Sequence, residues 1–135
     1  MANEVKESDW KLFRQLHPVA LERFCERVLA EVQAAVTDTS EGSHDRYLKL
    51  FDLVRERDKT IGRLFNDPRR SNALILLVNI KQQGLLTAEE FARFSPETRE
   101  RIENIEEVRA HNNSSGRVKR EIEAVLMVER MVGRR

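Results

Sequence analysis

Residues 67–84 read DPRRSNALILLVNIKQQG, and this stretch decides the fold. From Ala73 to Ile80 the run is apolar almost all round, which by composition alone suits either a buried strand or a buried helix. Its ends favour a helix. Pro68 has the fixed φ of a first helical residue, and Asp67 before it is a capping type. Gly84 follows a Lys-Gln-Gln finish, where a helix C-terminus needs a left-handed residue. A helix near residues 68–83 with no polar face needs neighbours on several sides, so it is expected at the centre of a bundle. Asn79, the one polar residue within the run, is expected to be buried, hydrogen-bonded and to specify helix register.

Upstream, apolar residues recur at helical spacing. Trp10, Phe13 and Leu16 form one face of a short helix, with Ser8 as its cap. Pro18 then starts a second helix carrying Leu21, Phe24, Cys25, Val28, Leu29, Val32 and Val36, or else lies within one long kinked helix. Thr37–Ser43 (TDTSEGS) is a polar loop. A third helix follows, with Tyr47, Leu50, Phe51, Val54, Ile61, Leu64 and Phe65 on its buried face and its end at Asn66-Asp67-Pro68.

Downstream, Thr87 and Glu90 match a capping box, in which each side chain serves the other's backbone N–H. They open a short helix bearing Phe91 and Phe94. Ser95-Pro96-Glu97 restarts a helix through Ile102, Ile105 and Val108. Residues 111–116 (HNNSSG) read as a flexible loop, and residues 117–135 as an amphipathic helix bearing Val118, Ile122, Val125, Val128 and Val132, with Met127 and Met131 beside them. The expectation is an all-α, single-domain helical bundle of about five to seven helices over residues 1–110. The terminal helix docks on that bundle or on a partner.

Composition agrees. The chain has 135 residues, 5 glycines and 3 prolines, too few turn formers for a sheet protein. Charged residues make up 35% and apolar ones 40%, a balance that helices with one exposed face carry readily. One cysteine excludes an internal disulfide and a multi-thiolate zinc site and suits a reducing compartment. With neither a secretory signal nor an apolar span, a cytoplasmic location is expected.

The residues that carry chemistry are few. Four residues on from Val54 stands Asp58, a charge at a position that periodicity assigns to the core. An unpaired buried carboxylate is costly, so Asp58 must find a cation or reach water. Arg57, Asp58, Arg69, Arg70 and Asn72 therefore form the candidate binding cluster, either a polar pocket or a structural ion pair. Glu100, Glu103, Glu107 and His111 share a helix face without the spacing of a di-iron site, so no metal and no cofactor is assigned. There is no glycine elbow around a serine and no phosphate-cradling loop.

Net charge is +1. Residues 1–67 hold 11 basic and 13 acidic side chains, and 68–135 hold 13 and 10. The helix after Pro96 is rich in Glu, which a phosphate backbone repels. The expected function is a small cytosolic interaction or regulatory module without catalytic activity. It is expected to be a homo-oligomer, or to meet a protein partner through its C-terminal helix. The alternatives are a nucleic-acid accessory protein using an Arg-rich surface (Arg55, Arg57, Arg69, Arg70) and a small-ligand or metal-dependent enzyme.

Overall fold

The computed structural model describes residues 4–132, with side chains for all but 115, 117–119, 121 and 128–132. Five helices follow one another: α1 (Glu7–Thr37), α2 (Ser43–Phe65), α3 (Ala73–Gln82), α4 (Ala88–Ala92) and α5 (Pro96–Val132). The fold is all-α, with no strand among the described residues. The chain divides into two compact units, residues 1–99 and 100–135.

In the first unit α1 and α2 form an antiparallel hairpin, and α3 packs on both. α1 continues through Pro18 as a single helix, so the kinked-helix alternative describes it better than two separate ones. An internal proline costs about 3 kcal/mol. Burial of Phe13 and Leu16 before it and of Ala20 and Phe24 after it, on one continuous stripe, offsets that cost. Ser8 lies inside α1, whose N-cap is Lys6.

The start of α3 differs more. Asp67 takes a left-handed φ of 52°, and the Asn72 side chain accepts from Arg69 N (2.8 Å) while donating to the Asp67 carbonyl (3.1 Å). This side-chain turn competes with helical bonding, so the helix begins at Ala73, five residues after Pro68. Its other end is as expected. Gly84 has φ 72°, Leu85 N donates to the Ile80 carbonyl and Gly84 N to that of Lys81, and Leu85 buries itself behind the turn. Ala73, Leu76, Leu77, Val78 and Ile80 are buried, whereas Ile75 reaches the surface and Asn79 is half-buried rather than enclosed.

The capping box forms, and tertiary structure recruits it. Glu90 accepts from Thr87 N, and Thr87 Oγ1 accepts from Glu90 N. Both Glu90 oxygens also take hydrogen bonds from Arg23 of α1, at 2.6 and 3.0 Å, and Arg23 donates further to the Leu85 carbonyl. One turn on, Arg27 donates to the Gln83 carbonyl. Two arginines of α1 thus satisfy carbonyls at the end of α3, and the Arg23 hydrogen bonds hold the Glu90 carboxyl at about 2.

α5 starts at Pro96 behind Ser95, whose Oγ accepts from Thr98 N. Buried Asp9 accepts from Ser95 N, Ser95 Oγ and Thr98 Oγ1. Burial pushes its carboxyl up, and those bonds outweigh burial and leave it below the ordinary range. His17 lies between the rings of Phe13 and Phe65. Burial lowers its pKa, against the opposing effect of the Phe65 carbonyl.

In the second unit, residues 111–116, expected as a loop, are helical and lie within α5. Ile102 is buried, while Val108, Ile122, Val125, Leu126 and Met127 are exposed. The side chains of Val118, Val128, Met131 and Val132 lie outside the described residues, as do residues 133–135.

Leu77 is 1% exposed, so Leu77→Asp buries an unpaired carboxylate and unfolds the domain; loss of the helical circular dichroism signal checks this. Stability also falls on acidification. The folded pKa of His17 is depressed, so its contribution is complete above pH 6.5 and shrinks as pH falls below that value. Glu90 contributes fully above 4.5 and progressively less as pH falls towards about 2. Urea midpoints measured from pH 7 to 3 should fall in both windows, with Glu90→Gln flattening the lower one.

Candidate interaction surface

The stripe on α2 runs through Tyr47, Phe51, Val54, Asp58, Ile61 and Phe65, positions that repeat at three and four residues and so share a side of the helix. Its two ends have different fates. Leu64 and Phe65 are buried, and the Phe65 ring meets those of His17 and Phe24. Tyr47, Phe51 and Val54 are instead 62%, 53% and 47% exposed, and Leu48 beside them is exposed as well. This overturns the expectation that the whole stripe is core. The reason lies in length. α1 has no buried residue beyond Phe24 and α2 none before Leu64. Over residues 25–63 the hairpin is therefore a two-helix arm, and two helices alone leave part of each apolar stripe in water.

The arm is held together along its seam. Glu31 of α1 takes three hydrogen bonds from Arg57 of α2, the shortest 2.8 Å. Those bonds lower the Glu31 pKa and raise that of Arg57. At the tip Arg46 donates to the Val36 carbonyl and Lys49 pairs with Glu41. A shallow depression there is lined by Ala35, Val36, Ser43, Arg46, Tyr47 and Leu50. Val36 and Leu29 on α1 are exposed, so apolar surface occurs on both helices of the arm.

The candidate cluster is spread among separate partners. Arg57 binds Glu31. Arg69 pairs with Asp67 at the surface. Arg70 donates to the Val5 carbonyl near Glu4. Asn72 closes the turn before α3. Asp58 is exposed and reaches water, the second of the two outcomes that its position allowed. It stands where the stripe passes from core to solvent, so periodicity located the boundary without showing which side was wet. Arg55, offered for a basic patch, lies over the Phe51 ring and beside Asp52. Among the described residues no group of three or more His, Cys, Asp or Glu side chains is placed to hold a metal. The Glu107 and His111 positions line an open depression along α5. Cys25 is half-buried. No described helix is long and apolar enough to cross a membrane.

These features define an all-α protein with a packed helical head and a projecting apolar hairpin. Among solved structures, the chain is similar to a variant of the fluorescence recovery protein of Synechocystis sp. PCC 6803, with a TM-score of 0.65 and 21% identity over 76% of this chain and 98% of that one. At that identity the likeness is one of fold. No family model matches the sequence, and no curated protein matches it.

Because Asp58 is exposed and supports no other group, Asp58→Ala should leave stability within about 0.5 kcal/mol of the parent. A urea midpoint displaced well beyond that would restore a structural ion pair at this position.

Proposed function

We propose that this protein is a non-catalytic helical interaction module with a regulatory role, and that it self-associates through the apolar side of the α1–α2 arm. The observation that carries the reading is the exposure of Leu29, Val36, Tyr47, Leu48, Phe51 and Val54 on two helices that no third element covers. Together they present on the order of 600 Å² of mostly apolar surface, at the upper end for a monomer and close to the roughly 800 Å² per partner of a stable interface. A second hairpin laid across this face completes a four-helix bundle, which buries the stripe that two helices leave wet. Tyr and Phe at its centre are residue types that anchor interfaces.

The fold neighbour supports the regulatory part. It is named for an effect on fluorescence rather than for a chemical conversion. The ion pairs weigh against the nucleic-acid alternative, since Arg55, Arg57, Arg69 and Arg70 each lie beside a carboxylate and make a poor phosphate-tracking stripe. Depressions at the arm tip and along α5 are open, unlike the closed polar pocket an enzyme reading calls for. Half-buried Cys25, the chain's one thiol, suits a reducing cytoplasm.

Light scattering on the full chain is expected to give a dimer or a larger assembly. Phe51→Glu should weaken that assembly about thirtyfold or more while the helical circular dichroism stays unchanged. A monomeric parent, or a Phe51→Glu variant that assembles as the parent does, would sink the reading.

A further inference from the structure

α5 carries a second unpartnered surface. Every described side chain between residues 111 and 127, Gly116 apart, is exposed. Yet residues 112–116 are Asn-Asn-Ser-Ser-Gly, among the poorer helix formers. A stretch of such low propensity stays helical where packing supports it, since an isolated helix draws little stability from its own hydrogen bonds. The face in question is continuous. About 18 residues make five turns, so Asn104 shares a direction with Ile122, Glu107 with Val125 and Val108 with Leu126. Asn104, Glu107, Val108 and His111 line the open depression along the helix. Val108, Ile122, Val125 and Leu126 are exposed by 46–59%.

The charges name the occupant. Residues 100–107 hold four Glu against one Arg, and residues 117–135 hold six basic side chains against three acidic ones. One end of the helix is thus acidic and the other basic, with the apolar positions between. A parallel copy would set like ends together, whereas an antiparallel copy sets each acidic end beside a basic one. We propose that α5 docks against α5 of a second copy of this chain, antiparallel and centred near position 115. In that register Val108 faces Ile122 of the second copy and Asn104 faces its Leu126. The depression along residues 104–114 receives the apolar side of the other helix, and Glu107 meets the end that carries Arg120. This deepens the self-association reading but uses a different surface from the arm.

Disulfide trapping tests the direction. In full-length chains carrying Cys25→Ser, Val108→Cys and Ile122→Cys are made separately and then mixed. Both sites are exposed in the protomer, so neither change disturbs the fold, as circular dichroism will verify. The mixture is expected to cross-link about tenfold faster than either variant alone, because only unlike positions meet at high effective concentration. About 1 M NaCl should slow it, since exposed charges are then screened within a few ångströms. Homodisulfides outpacing the mixed one, or no cross-link at all, would overturn the proposal. Adding Phe51→Glu separates the two surfaces: a mixed disulfide that persists while the arm is disabled assigns the contact to α5. A parent that assembles through the arm yet gives no mixed disulfide leaves the arm reading standing and removes this one.

Discussion

Arg23 is where local and distant structure meet in this protein. Its guanidinium spans both oxygens of Glu90 and the Leu85 carbonyl, joining the middle of α1 to the segment between α3 and α4. Glu90 is already committed to the Thr87 capping box, so one carboxylate orders its own helix start and receives the bridge from α1. Arg27 extends the clamp to the Gln83 carbonyl. Helix ends leave carbonyls that need partners, and here α1 supplies them with charge-assisted bonds. The turn is thereby fixed against α1, and with it the placement of α3 in the core formed by Phe13, Phe24, Leu64 and Phe65. α4 buries no residue of its own, so its position depends on this clamp.

From that fixed head follows the exposed arm. α1 has 31 residues and α2 has 23, whereas α3 has only 10. A short third helix covers one end of a long hairpin and leaves the other in water. The apolar side chains on the uncovered part are what the functional reading rests on. They belong to the same heptad-like stripe that builds the core two turns further along, so one periodic pattern serves packing at one end and recognition at the other.

Much of this was legible along the chain. The apolar period placed α1, α2 and the start of α5, and Gly84, the Thr87–Glu90 box and Ser95-Pro96 marked boundaries that the structure keeps. Those signals are local: a left-handed residue, a side chain reaching three positions on, a proline at a first helical position. Reading failed where the competing influence was also local but weaker in outline. Asn72 delays α3 by holding Asp67 and Arg69 in a turn, and no periodicity reports such a bond. The run at 111–116 has loop composition but lies within α5, because propensity is a weak prior that context overrides.

By itself, then, the sequence determined the helical class, the order of most elements and the position on α2 where the apolar stripe is interrupted. It could not tell which apolar residues would be covered, because periodicity reports a face and not what lies opposite it. Only the tertiary structure decided that Phe65 is core and Phe51 surface, that Asp58 meets water, and that Arg57, Arg69 and Arg70 each find a different partner. Burial depends on how far each helix extends beyond its neighbours, and ion pairs depend on which chain segments meet. Both are set by the three-dimensional placement of α3 against a hairpin more than twice its length.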